Sequence, residues 1–166
     1  MKKLSDNKIG KLEISAANKV LKSGKLSGFY GSKSPYFYGG KFVKKFEKDL
    51  SKFYNSKYAI TVNSWTSGLV AIFGSLDLER GDEVILPPWT MTACMASILN
   101  WNLVPVFCDI EKNTFNIDPI EIEKKITKKT KAILAVDIFG HPVNVIEIRK
   151  ICKKYNLKFI LDCAQS

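Results

Sequence analysis

The stretch AILAVDIFGHPVNVIEIRKICKKYNLKFILDCAQS, residues 132–166, decides the fold. Two short runs that are apolar throughout, AILAV (132–136) and FIL (159–161), flank a helical pattern over about 145–155, and polar residues follow each run at once. A strand apolar on both faces is covered on both faces, and two such strands joined through a helix predict a parallel pair.

Working outward, the same alternation repeats toward the N-terminus. Runs YAITV (58–62), EVIL (83–86) and VPVF (104–107) are separated by helical patterns near 66–76, 91–100 and 119–126. The expected class is α/β, a mostly parallel sheet flanked by helices. Ahead of it, residues 13–23 suit a helix closed by Gly24, and 25–40 read as an aromatic-rich loop. A second helix is expected from Lys41 to Tyr54, where Phe42, Phe46, Leu50 and Phe53 form one stripe facing a core.

Composition narrows the function classes. The chain has 166 residues, 46% hydrophobic, with net charge +10, which suits an ordinary globular domain. Its 14 Lys in residues 1–58 carry the whole excess, and the remainder is neutral. With almost no Arg, this stretch reads as a solvated lysine-rich face, and a nucleic-acid partner is the weaker reading. A single histidine, His141, and four Cys with no CxxC exclude most zinc centres, so no metal is expected. No apolar run is long enough to cross a membrane and no signal-peptide core follows Met1, so a soluble cytoplasmic protein is expected.

In a parallel sheet ligands bind beyond the carboxyl ends of the strands. The segments there are NSWTSG (63–68), PPWTMTA (87–93), DIEKN (109–113), DIFGHP (137–142) and DCAQS (162–166). The first puts Ser64, Thr66 and Ser67 at a helix start, which reads either as a plain N-cap or as a phosphate seat; it is neither a P-loop nor a dinucleotide fingerprint. Asp162 ends an apolar strand, where a carboxylate is costly unless donors or a cation meet it. The protonated ring nitrogen of pyridoxal phosphate is one such cation, with Gln165 offering an amide to the same ligand; a turn cap by Asp162 is the other reading. His141 reads as a loop residue, the cysteines as core residues, and Glu121 and Glu123 as a solvated helix face.

In order along the chain, VLKSGKLSG, GGKFVKKFEKDLSKFY, YAITVNSWTSGL, GDEVILPPWTMTA, PVFCDIEKNTFNIDP, TKAILAVDIFGHP and FILDCAQS resemble the N-terminal part of the DegT/DnrJ/StrS family of pyridoxal-phosphate sugar aminotransferases. The resemblance implies the large domain of the aspartate aminotransferase-like, fold type I, PLP fold. It implies an N-terminal helix and loop segment over 1–40 and an incomplete PLP-binding domain over 41–166. Trp65, Thr66 and Ser67 would hold the cofactor phosphate, Asp162 would pair with the pyridine nitrogen, and Gln165 would lie against the ring hydroxyl. Trp65 stands where the family commonly has Gly, and Met91, with Trp89 two residues earlier, where it usually has the aromatic residue stacked on the ring.

The implied activity is transfer of an amino group from glutamate or glutamine to a keto sugar, nucleotide-linked, in polysaccharide or amino-sugar biosynthesis. The family's Schiff-base lysine belongs a few tens of residues after the DCAQ motif, so these 166 residues by themselves are expected to be an inactive fragment with no catalytic residue of their own. A homodimer is implied, with the aromatic loop (Phe29, Tyr30, Tyr36, Phe37, Tyr38) as part of its surface. Two alternatives stand beside this reading: a sugar dehydratase of the same family in which that lysine is replaced, and a non-catalytic binding protein using the basic N-terminal region.

Overall fold

Strand β3 (Thr130–Val136) runs through the middle of a four-stranded sheet, and residues 132–135 are fully buried. The computed structural model describes residues 9–26 and 28–166, which fall into two compact units divided between Thr61 and Val62.

In the second unit helix α3 (Trp65–Gly74) leads to β1 (Glu83–Leu86), α4 (Thr92–Leu99), β2 (Val104–Phe107), α5 (Pro119–Lys125), β3, α6 (Val145–Tyr155) and β4 (Lys158–Asp162). The strands are ordered β2-β1-β3-β4 and every pairing is parallel, as the apolar runs predict. Side chains alternate between the two faces of a strand, and both faces are apolar here. Val84, Leu86, Ala132, Leu134 and Val136 join Leu69 and Phe73 of α3 and Cys94 and Ile98 of α4 in one core. Ile85, Ile133 and Ala135 join Ile122 of α5 and Ile148, Ile151 and Cys152 of α6 in the other.

This order creates a switch point. Chain leaving β1 passes to α4 on one face, whereas chain leaving the adjacent β3 passes to α6 on the opposite face. In sheets of this kind a crevice is expected at the carboxyl ends where the two diverge. Asp162 lies on this edge, paired in register with Val136.

The run at 58–62 does not form the strand expected of it. A strand exists only as part of a ladder, and this segment has no ladder partner among the described residues. Tyr58, Ile60 and Val62 are exposed, and the Glu47 carboxylate accepts from both the N–H and the Oγ1 of Thr61, each at 2.9 Å.

In the first unit α1 (Lys11–Lys22) begins where the Glu13 carboxylate accepts from the Gly10 N–H, and α2 (Lys41–Phe53) follows the aromatic loop. Neither helix has a buried residue. The apolar stripe of α2 is therefore not the core face expected, since Phe42, Phe46 and Phe53 stay exposed: two short helices and a loop offer too little surface to enclose it.

Candidate functional site

The residues singled out at the strand ends gather at one side of the second unit. Asp162, at the last position of β4, is 4% exposed and carries no cationic partner among the described residues. Its Oδ1 accepts the N–H of Ala164 (2.9 Å) and its Oδ2 the thiol of Cys94 (3.3 Å). Cys94 has a single proton and gives it to a group that can only accept, so the Thr90 hydroxyl, 3.3 Å from Sγ, donates to the sulfur. Burial pushes the Cys94 thiol up to about 11, with Thr90 opposing the rise and the Asp162 charge adding to it, and the S–H is kept at neutral pH.

A second buried carboxylate, Asp137, follows β3 and is differently served. Its Oδ1 accepts the Val143 N–H (3.0 Å), and its Oδ2 accepts Ser166 Oγ (3.1 Å) and Cys163 Sγ (3.6 Å). Both of its oxygens are thus engaged in closing the loops 137–143 and 162–166 on one another. Among the described residues Asp162 has only two donors, one of them a weak thiol, and a buried carboxylate so served is costly. A protonated ring nitrogen would offset that cost, so the donor set fits a pyridinium.

Helix α3 starts with Ser64 as its N-cap, whose Oγ accepts the Ser67 N–H (3.1 Å) and lies 3.0 Å from Ser67 Oγ. The N–H groups of Trp65 and Thr66 are orphans of the first turn, as at any helix start. Direction places this end. At the other end of α3 Gly74 lies against the Trp101 ring, just past α4, and Trp101 Nε1 donates to Val70 O (2.7 Å). The two helices therefore run the same way, and since the first turn of α4 meets Asp162, the first turn of α3 opens on the same side. The Trp65 ring lies over Gly68, where a Cβ would stand 3.7 Å from it.

Met91 precedes α4 with its side chain largely exposed, and Trp89 is half exposed. The Trp89 ring is tilted against Phe115 at 5.8 Å between centroids, and Phe115 meets Phe139 edge-on at 6.1 Å. Phe115 and Phe139 both hold positive φ, 61° and 55°, a conformation that aromatic residues avoid and that must be held by surrounding contacts. Gln165 is turned toward this ledge: its Oε1 accepts the Phe139 N–H (2.5 Å).

Sequence reasoning passed over Asn116, Asp137, Thr90 and the thiol of Cys94. Asn116 is 3% exposed and ties the 138–142 loop: its Nδ2 donates to the carbonyls of His141 and Pro142, each at 3.0 Å, and its Oδ1 accepts the Ile138 N–H (3.3 Å). No spacing rule signals such a residue, because its partners lie more than twenty positions away. His141 is an exposed loop residue with Nδ1 3.1 Å from the Pro142 carbonyl. Cys94, Cys108 and Cys152 are buried, but Cys163 is exposed, since it follows the last strand and leaves the core. Glu121 and Glu123 pair with Lys124 and Lys154 on the outer face.

The chain is 40% identical over 151 residues to the dTDP-3-amino-3,6-dideoxy-alpha-D-galactopyranose transaminase of Aneurinibacillus thermoaerophilus, covering 91% of this chain and 39% of that protein. Its fold matches an aminotransferase from Psychrobacter cryohalolentis with a TM-score of 0.85 and 33% identity, over 96% of this chain and 38% of the other. It also matches NtdA of Bacillus subtilis, solved with bound cofactor PMP, with a TM-score of 0.83 and 34% identity, over 92% of this chain and 33% of the other. The chain thus spans well under half the length of these relatives. The model of the DegT/DnrJ/EryC1/StrS aminotransferases matches residues 8–166, nearly the whole sequence, and the chain belongs to that family.

Proposed function

We propose that this chain is the cofactor-binding part of a pyridoxal-phosphate-dependent aminotransferase that aminates a keto sugar, nucleotide-linked, with glutamate or glutamine as donor. The observation that carries the reading is the buried Asp162 carboxylate, which among the described residues has no cation and only two donors, at the carboxyl edge of a parallel sheet. Family membership and the transaminase of Aneurinibacillus thermoaerophilus support the reaction class and the sugar substrate.

When bound, the cofactor supplies an electron sink for the carbon that exchanges its amino group. The residues here bind and orient. Asp162 keeps the proton on the ring nitrogen, and the Thr90–Cys94 relay holds its Oδ2 in place. Gln165 meets the ring oxygen. The first turn of α3, through the backbone and hydroxyls of Trp65, Thr66 and Ser67, takes the phosphate, where the positive end of the helix favours an anion. Met91 and Trp89 cover a ring face, methionine through a polarisable sulfur.

The same reading makes the protein a homodimer. Support comes from the first unit, where Phe29, Tyr30, Phe37 and Tyr38 are exposed and neither helix buries a residue, surface that a second copy would cover. The same reading puts it in the cytoplasm, where four cysteines that form no disulfide would stay reduced; no helix among the described residues is long and apolar enough to cross a membrane.

The test is turnover. The whole enzyme of which this chain is the cofactor-binding part, loaded with pyridoxal 5′-phosphate, is given glutamate and a panel of nucleoside-diphosphate keto sugars, and both the 2-oxo acid and the amino sugar are followed. Equimolar formation of the two is expected; loaded protein that turns over none of the panel, or that releases no amino sugar, overturns the reading. Light scattering decides the dimer, a monomer at micromolar concentration being the adverse result.

A further inference from the structure

An amide side chain presents an acceptor at one end and a donor at the other, and which end Gln165 offers the crevice depends on what holds the opposite end. A backbone N–H can only donate. The contact between the Phe139 N–H and the Gln165 side chain therefore requires the oxygen on that side, which turns the Nε2 amino group the other way. Nε2 makes no hydrogen bond among the described residues. The donor end of Gln165 is thus left for a ligand, and Asp162, three positions earlier, is an acceptor.

The Phe139 N–H points at Gln165 because of a strained turn. Phe139 holds φ 55° and Gly140 φ 76°, and the Gly140 backbone sits so close to Gln165 that a Cβ there would lie 2.8 Å from its carbonyl oxygen. Asn116 closes this turn from beneath, bonding the Ile138 N–H on one side and the carbonyls of His141 and Pro142 on the other, and Asp137 Oδ1 takes the Val143 N–H at its far end. Phe139 lies between these anchors, and without them a non-glycine residue would leave the left-handed region.

We infer that Asn116 is a positioning residue: by closing the 138–142 turn it fixes the Phe139 N–H, and through it the orientation of the Gln165 amide, whose N–H₂ is left as the donor to a ligand beside Asp162. This rests on the cofactor reading above and adds what holds the Gln165 amide in one orientation. A carboxylate at 165 keeps the acceptor for Phe139 and loses the donor, whereas alanine loses both, so the two substitutions separate the contacts.

The experiment joins amide hydrogen exchange with binding of pyridoxamine 5′-phosphate to the parent protein and to Gln165→Glu, Gln165→Ala and Asn116→Ala. Exchange at the Phe139 N–H is expected to be slow in the parent and in Gln165→Glu, and fast in Gln165→Ala and Asn116→Ala. Affinity for pyridoxamine 5′-phosphate should fall about tenfold or more in all three variants, as for loss of a hydrogen bond to a charged group. In Gln165→Glu the apparent pKa of the bound 3-hydroxyl, read by absorbance, should rise. A 3-deoxy analogue, which lacks the ring oxygen, should bind the parent and Gln165→Glu alike. Equal Phe139 exchange in parent and Gln165→Ala overturns the geometry. Unchanged affinity in Gln165→Glu overturns the donor assignment, and an Asn116→Ala protein with parental exchange and affinity overturns the role of Asn116. Should Asn116→Ala not fold, Asn116→Asp, which keeps the acceptor for Ile138 and loses both donors, is measured in its place and judged by the same outcomes. A parent with a protected Phe139 amide that binds no pyridoxamine 5′-phosphate overturns the cofactor reading, and this inference with it, while leaving the loop geometry standing.

Discussion

Replacing Asp162 by asparagine changes one oxygen of a buried carboxylate into an amino group and leaves the shape nearly the same. The Ala164 N–H, 2.9 Å from Oδ1, requires an oxygen, so the new Nδ2 must take the Oδ2 position facing Cys94 Sγ at 3.3 Å. Two donors then meet. Cys94 can resolve the clash by turning its S–H to Thr90 Oγ1, also 3.3 Å away, and accepting from the amide through sulfur. The fold should therefore change in stability by no more than about 1 kcal/mol, the size of one neutral hydrogen bond. Binding of a protonated ring nitrogen loses a charge-assisted bond, about 1.5 to 3 kcal/mol, and the affinity for pyridoxamine 5′-phosphate should fall by about tenfold to 150-fold. Asp162→Ala leaves the Ala164 N–H and the thiol without a partner, and should cost about 1 to 3 kcal/mol of stability as well. Titration of each variant by fluorescence, beside thermal unfolding, separates the two effects. Parental affinity in a folded Asp162→Asn protein, or unfolding of that variant, would refute the reasoning and make Asp162 a turn cap.

In the whole enzyme of which this chain is the cofactor-binding part, Thr66→Ala removes a hydroxyl from the first turn of α3 but leaves its N–H groups, so affinity for pyridoxal 5′-phosphate should fall while turnover at saturating cofactor changes little; equal loss in both would assign Thr66 another role. Gly74→Ala drives a methyl group into the Trp101 ring, and the loss from overpacking, about 1 to 3 kcal/mol, should exceed the helix-propensity gain of about 1 kcal/mol. Chemical unfolding followed by tryptophan fluorescence checks this, and a more stable variant contradicts it. Burial pushes the thiols of Cys94 and Cys152 up to about 11 and that of Cys108 to about 12 from 9.0. The unfolded chain thus loses those protons first, and stability should be insensitive to the thiols below pH 9 and decline as pH rises through 11 and 12. Urea midpoints across that range test it, and Cys152→Ala should flatten the decline; a slope that this variant leaves unchanged places the cause elsewhere.

The alternation of apolar runs with helical patterns from residue 83 onward determined the second unit, because a strand buried on both faces has one composition and a helix that covers it another. The positions of Asp162 and Gln165 followed from the same rule, since residues just beyond such strands stand at the edge where ligands bind. Local pattern failed at YAITV, which reads as a strand by composition but has no ladder partner, and at the α2 stripe, which is apolar at the right spacing yet stays exposed. In both, burial depends on what other chain lies alongside, and no window of sequence contains that. Tertiary structure alone decided how the site is held. Cys94 meets Asp162 across 68 positions, and Asn116 reaches a turn 22 to 26 positions away that aims the Phe139 N–H at Gln165. Such contacts join strands and loops adjacent only once the sheet has its order β2-β1-β3-β4, so their energies are set by register and crossover and not by spacing along the chain.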